Sequence, residues 1–549
     1  MPPSPSDPIF SALLGGPAVE FGFWDIVVED FAYAEQAYIR NTAIVVTTLY
    51  DKQGRAAQIT DFAPRFQSFG RMYRPPQIVR QIKPLKGQPR VTVRFRPTQG
   101  YGLAGCTPVR GTNHISYRCA AFPARLTTDV PISFVMREIP FLLENEYTMV
   151  LGTDEPLAGA PKSLALEFFE RTYQWWDDFS RALSVPYEWQ SAVIRAAITL
   201  KLSQFEESGA IVAAHTTSIP EAESTPRTWD YRYSWLRDAF HTVRSLNRLS
   251  ETKTMEKYVR FVTNIVRQQD HELQPLYGIL FETQVPERLL DTLPGYRGQG
   301  PVRVGNDAFI QRQNDNAGSV ILAVSQVFVD SRITGVGTQD LYDSLAQLGE
   351  RAYRDFETPD AGLWELRGSE RVHTFSAVMC WVACHRMAFL SRVMQRSGAE
   401  AAAWDAKAAV IKSAVMERAW DAEQNAFVAT MDGTSKDMDA ALLLLHEIQF
   451  IEATDPKFVS TVEAIGRKLL RGDVLMRYTE EDDFGAPKNA FNVCTFWYID
   501  ALASIGRGAE ARRLFENMLA ARNHVGILSE VRYCIQTVCS TSNLNILWP

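Results

Sequence analysis

Two glutamates and one aromatic, charge-rich stretch are the residues best suited to chemistry. Residues 228–239 read Thr-Trp-Asp-Tyr-Arg-Tyr-Ser-Trp-Leu-Arg-Asp-Ala. Flat rings such as Trp229 and Tyr231 beside forked donors and acceptors such as Arg237 and Asp238 suit a neutral, hydroxyl-rich ligand. The same cluster also reads as a helix start held by local Arg–Asp pairs. Glu365 stands between Trp364 and Leu366, an apolar, aromatic frame of the kind that keeps a carboxyl protonated for use as a general acid. Glu530 follows a short apolar turn with no basic neighbour before Arg532. Taken singly, each glutamate also reads as a surface or capping residue. Other catalytic patterns are missing from the sequence: there is no Gly-x-Ser-x-Gly elbow, phosphate-binding glycine loop or His-Glu-x-x-His. His373 reads as a cap or loop histidine.

The elements that must position these groups fall into two kinds. The first 155 or so residues favour strands: 42–50 is β-branched, 90–96 alternates apolar with polar, and 77–82, 127–140 and 146–151 continue the pattern. Short strands at this spacing predict a β-sandwich without catalytic residues. From Ser163 the period becomes helical, and after a first helix with Phe168, Phe169, Tyr173 and Trp176 about eleven more follow. They are expected at 188–207, 234–249, 253–270, 308–329, 339–357, 374–396, 399–420, 437–447, 457–471, 491–505 and 508–521. No repeat of 34–47 residues is visible, which favours a bundle or toroid over a solenoid. The loops at the helix ends place Trp, Tyr, Arg, Asn and acids beside glycines, as at 273–279, 295–306 (with Gln311 and Gln313 close behind), 360–368, 477–484 and 526–530. A pocket built from many loops on one rim is the geometry this implies.

Composition narrows the classes. The chain has 549 residues, 46% hydrophobic and 22% charged, with a formal charge of −7. That offers no basic field for nucleic acid or anionic membrane. No uncharged run approaches the roughly 20 residues of a membrane helix, and the N-terminus has no signal-peptide pattern. Seven scattered cysteines argue against a disulfide framework, and Cys380 and Cys384 lack further ligands at zinc spacing. A reduced, cytoplasmic protein is the resulting expectation.

The motifs at 229–239, 277–279, 301–306, 362–368, Arg477-Tyr478 and 528–530, with the approach Thr216-Thr217-Ser218-Ile219-Pro220-Glu221, occur in an order that resembles glycoside hydrolase family 15. The likeness is nearest to its bacterial-type branch of glucoamylases and trehalases. The resemblance implies a β-sandwich over residues 1–160, a linker helix over 161–186 and an (α/α)6 barrel over 187–530. It implies Glu365 as general acid and Glu530 as general base of an inverting reaction, which needs no metal or cofactor because two carboxylates carry both proton transfers. Arg237 and Asp238 match the pair that grips the non-reducing glucose. Leu363 and Trp364 match the acid's neighbours in that subsite, Arg477 an arginine near the cleavage point, and Trp229 and Tyr231 sugar platforms. The expected activity is exo-cleavage of α-glucosides with release of β-glucose. The alternatives are an α,α-trehalase using the same glutamates, or a sugar-binding homologue impaired in catalysis. Against the family pattern the sandwich is expected to begin late, and residues 531–549 form an atypical tail.

Overall fold

The computed structural model describes residues 7–16, 19–119, 123–268, 273–333, 335–368 and 370–533. Its N-terminal region is antiparallel. Eleven principal strands are β1 (Phe23–Val28), β2 (Phe31–Tyr38), β3 (Val45–Asp51), β4 (Ala56–Phe62), β5 (Ile78–Lys86), β6 (Arg90–Arg96), β7 (Thr107–Arg110), β8 (His114–Arg118), β9 (Ala124–Thr128), β10 (Phe141–Leu142) and β11 (Tyr147–Thr153). They form an eight-stranded sheet in the order β7-β8-β9-β11-β5-β4-β3-β2 and a three-stranded sheet in the order β1-β6-β10. The alternation of β1 and β6 explains the packing. Trp24, Ile26 and Val28 join Val91, Val93 and Phe95 in one core with Ile59, Ile82, Ile115, Leu126 and Met149 of the larger sheet. The larger sheet's other face, including Val79 and Val150, packs on Ala165 and Phe168 of helix α2 (Pro161–Ala182).

Two expectations are corrected in this region. Residues 127–140 are not a continuous strand: β9 ends at Thr128, and Pro131 opens a short helix, α1 (Ile132–Arg137), whose fixed φ suits a helix start. Cys106 and Cys119 form a disulfide. The β7–β8 hairpin pairs Thr107 with Arg118, so its register sets the two cysteines side by side at its open end, Cα atoms 4.9 Å apart. Cys380, Cys384 and Cys494 are buried and free.

The helical region runs through α3 (Gln190–Leu202), α4 (Leu236–Arg248), α5 (Thr252–Gln268), α6 (Asp315–Val324), α7 (Gln339–Asp355), α8 (Thr374–Val393), α9 (Gly398–Arg418), α10 (Pro456–Leu469), α11 (Asn492–Ser504) and α12 (Gly508–Ala520). The helix expected at 437–447 is a 3-10 turn, Ala440–Leu445, and that expected from 308 begins at Asp315 after a separate turn, Asp307–Ile310. α6, α8 and Ala440–Leu445 are buried nearly all round, as inner elements must be. α4, α6, α8, Ala440–Leu445 and α11 touch in succession, and α5, α7, α9, α10 and α12 pack outside them. No helix among the described residues is long and apolar enough to cross a membrane.

Candidate active site

A cavity of about 490 Å³ opens among the loops at one end of the inner helices. Every site residue expected from sequence borders it: Glu365, Glu530, Arg237, Asp238, Leu363, Trp364, Arg477, Trp229 and Tyr231. His241 of α4 faces Trp497 of α11 across it, ring centroids 6.4 Å apart.

Glu365 is held by its loop and by its donors. The loop's base is closed by Asp360 and Arg371. Asp360 accepts from the Asn314 backbone N–H at 2.9 Å and from Ser376 Oγ at 2.8 Å, which ties the loop to the starts of α6 and α8. Burial pushes the Asp360 carboxyl up to about 7. Gly362 takes φ +67°, and a Cβ there would meet the His373 ring at 2.7 Å. Glu365 itself takes φ +58°, an uncommon backbone state for a residue with a side chain and one that accumulates at functional sites.

The carboxyl frame is more polar than its sequence neighbours imply. Oε1 of Glu365 accepts from Trp235 Nε1 at 2.6 Å, Arg237 Nη2 at 3.2 Å and Gln313 Nε2 at 3.3 Å. Oε2 has no such partner among the described residues. Arg237 and Asp238 lie in the first turn of α4, which the short strand Ser234–Trp235 delivers by pairing with Leu276–Tyr277. Arg237 also donates to Gln313 Oε1 at 2.9 Å and pairs with buried Asp315 at 3.5 Å. Gln313 donates to Gln311 Oε1, and Gln311 donates to the carbonyls of Glu365 and Leu366, both at 3.2 Å. The wall beyond Glu365 is Trp364. Its indole donates to both oxygens of Asp439 at 3.0 Å, and its ring packs against Tyr478, Phe491 and Trp497. Burial pushes Asp439 up to about 6.

Glu530 ends the loop after α12. Asn492, at the start of α11, donates its N–H to the Glu530 carbonyl and its amide to the Ser529 carbonyl, both at 2.8 Å. The Glu530 side chain is exposed to the cavity, yet protein encloses it on the larger scale. That enclosure, followed by the charges of Glu221 and Asp238, pushes its carboxyl up to about 8, with Arg477 opposing. Glu221 bridges two wall residues: Oε1 accepts from Trp229 Nε1 at 2.9 Å, and Oε2 pairs with Arg477 at 3.1 Å. Tyr231 packs edge-on against Trp235 at 5.9 Å. Trp229 is not a bare stacking face, because the guanidiniums of Arg303 and Arg367 stand over its ring at 5.0 and 4.6 Å.

Sequence reasoning left Trp235, Gln313, Asp315, Asp439 and Glu221 without roles. Glu221 and Trp235 stand inside the motifs at 216–221 and 228–239, and Gln313 stands just past the loop at 295–306. Asp315 and Asp439 gave no signal, because each contacts a partner more than seventy residues away in sequence. No cluster of metal-ligand type occurs among the described residues. Among the carboxyls on this cavity, that of Glu365 is gripped on a single oxygen beside the forked cation Arg237, and that of Glu530 is shifted toward neutrality.

Known proteins resemble this chain in sequence and fold. A profile of glycosyl hydrolases family 15 matches residues 189–543, continuing past Glu530. A trehalase of Thermoplasma volcanium is 28% identical over 96% of this chain and 84% of its own length. A trehalase of Mycolicibacterium smegmatis is 32% identical, over 74% of this chain and 61% of the relative. A trehalase of Mycobacterium tuberculosis is 33% identical, over 61% of this chain and 49% of the relative. In fold, a bacterial glucoamylase crystallised with acarbose superposes with a TM-score of 0.67 at 13% identity, covering 92% of this chain and 83% of that one. With the family's profile spanning the helical region and both glutamates on its cavity, the chain belongs to glycosyl hydrolases family 15 and is a glycoside hydrolase.

Proposed function

We propose that the enzyme is an α,α-trehalase acting by inversion in an (α/α)6 barrel. The observation that carries the substrate is the set of relatives: those matched along most of this chain are named trehalases. This reading replaces the glucan-cleaving activity expected first from sequence motifs. In the reaction, Arg237 and Asp238 hold one glucose, with Leu363 and Trp364 as walls. Glu365, its Oε1 occupied by three donors, gives the proton on Oε2 to the bridging oxygen as the C1–O bond breaks. Glu530 in its ionised form takes a proton from water, which adds to C1 from the opposite face. The carboxyls of an inverting pair stand roughly 6.5–9.5 Å apart to admit that water. Each cleavage then yields one β-glucose from the attacked ring and one α-glucose from the leaving ring.

Proton NMR of the purified chain, with trehalose and maltotetraose in separate tubes, tests all of this. The expected result is cleavage of trehalose with equal initial α and β anomers. Two α anomers would refute inversion. Cleavage of maltotetraose alone would restore the glucan reading. Silence in both tubes, with saccharide binding retained, would make the chain a catalytically impaired homologue.

A further inference from the structure

A second cavity, of about 200 Å³, opens at the other end of α4. Arg237 begins that helix beside Glu365, and Arg248 ends it eleven residues on, roughly 16 Å along the axis at 1.5 Å per residue. The floor is apolar, with Phe240, Val243, Met255 and Leu322, and the rim carries Arg244, Arg248, Arg386 and Glu447. The three arginines outnumber the two acids near them, Glu447 and Asp500. Glu447 pairs with Arg244 at 2.8 Å, and Asp500, in contact with His446 at 3.2 Å, also feels the charges of Arg248 and Arg244. Among the described residues Arg248 and Arg386 form no ion pair. Arg386 donates from Nη2 to Gln449 Oε1 at 3.1 Å, while its Nε is buried without a hydrogen-bond partner.

A helix C-terminus attracts cations, which accounts for Arg244 and Arg248 at the end of α4. It does not account for Arg386, which reaches the same cavity from α8 with a buried donor unspent. Burial holds Arg244 and Arg386 below their ordinary range, and a neighbouring arginine charge adds to it at each, with Glu447 and Asp500 opposing at Arg244. Guanidinium forks match the oxygens of phosphate, and the apolar floor strengthens such a contact by lowering the local dielectric. The volume lies below the roughly 300 Å³ at which drug-sized pockets begin, so the ligand is small.

We propose that this cavity is an anion site for a phosphate-class oxyanion, free or as a small monoester, held by Arg244, Arg248 and Arg386. The test is calorimetric titration of the purified full chain with sodium phosphate, at ionic strength held constant with chloride. Saturable binding of one phosphate per chain is expected. It should persist when trehalose fills the sugar cavity of the Glu365→Gln variant, because the two cavities lie at opposite ends of α4. Arg248→Gln and Arg386→Gln should each weaken phosphate about tenfold or more. Arg248 is exposed, so its variant decides the matter if Arg386→Gln does not fold. Glycerol 3-phosphate separates the sources: tighter binding than phosphate assigns a phosphorylated metabolite, weaker binding assigns the free ion. The proposal is overturned if phosphate does not saturate the wild-type chain. Unchanged affinity in a folded Arg248→Gln variant, or displacement of phosphate by trehalose, would equally overturn it.

Discussion

Trp235 donates its indole N–H to Oε1 of Glu365 at 2.6 Å, the same oxygen that Gln313 reaches at 3.3 Å. Both donors therefore orient one carboxyl by occupying one oxygen, and they leave Oε2 for the proton that the proposed mechanism transfers. Trp235→Phe should lower kcat about 10- to 100-fold with a smaller change in KM, since a misaimed donor is felt most in the transition state. Gln313→Met should act in the same sense. Because the two share an acceptor, the double variant should lose less than the sum of the single losses. Steady-state kinetics of the four proteins decide it, and full additivity would mean that the two donors act independently.

Glu365→Gln keeps an oxygen that accepts from Trp235 but removes the proton that Glu365 donates in the proposed mechanism. Hydrolysis should fall by about 100- to 10,000-fold, the range for a lost general acid. Saccharide affinity and the thermal midpoint should stay near wild type. Normal turnover in this variant would refute the assignment of the acid.

The sequence showed most of what is local and little of what is long-range. The alternation of 90–96 coincides with β6, and the site loops are marked by glycines and aromatics whose types declare their use. The family resemblance carried by those loops pairs Glu365 with Glu530, and both border one cavity although 165 residues separate them. By contrast, the disulfide depended on the β7–β8 register, which pairs Thr107 with Arg118 and which composition does not encode. Sequence alone does not show that Arg303 and Arg367 stand over the Trp229 ring, because they come from distant loops. The 440–445 run, Ala-Ala-Leu-Leu-Leu-Leu, has strong helix formers, yet it forms a short 3-10 turn capped by Asp439.

Asp439 caps that turn by accepting from the Ala441 N–H at 2.8 Å and also holds the Trp364 indole. Asp439→Ala loses the cap and strands a buried N–H. Together these should cost about 2–4 kcal/mol and be visible in denaturant unfolding. Burial raises Asp439 from 3.8 to about 6, so the folded chain binds the extra proton between those values. Its contribution therefore lowers stability as pH rises through that window. Asp439→Asn should flatten this dependence, and an unchanged slope between pH 4 and 6 would contradict the burial.

The Cys106–Cys119 bond closes a short loop, with a sequence separation of 13. Loop-closure entropy gives it about 3 kcal/mol. Replacing both cysteines with serine should lower the unfolding free energy by up to that amount. The catalytic rate should not move, because neither cysteine borders the sugar cavity. A matching fall in kcat would show that the N-terminal sheets support the active-site loops more directly.

Glu221 places a carboxylate where Glu530 feels it, while binding Trp229 and Arg477. Burial is the first cause of the Glu530 shift, and Glu221 is the first of the charges that add to it. In its proposed role as general base Glu530 works only when ionised, so kcat/KM should rise with pH through its titration. Glu221→Gln keeps the size and an acceptor for Trp229 but removes the charge, and it frees Arg477 from its partner. Both changes favour the ionised form of Glu530, so the acid limb should move to lower pH. The pH profile of trehalose hydrolysis in the two proteins measures this directly. If the limb stays in place while the maximal rate falls, Glu221 serves only to hold the wall. If the limb moves down with little loss of maximal rate, the Glu221 carboxylate sets the pH at which the base engages.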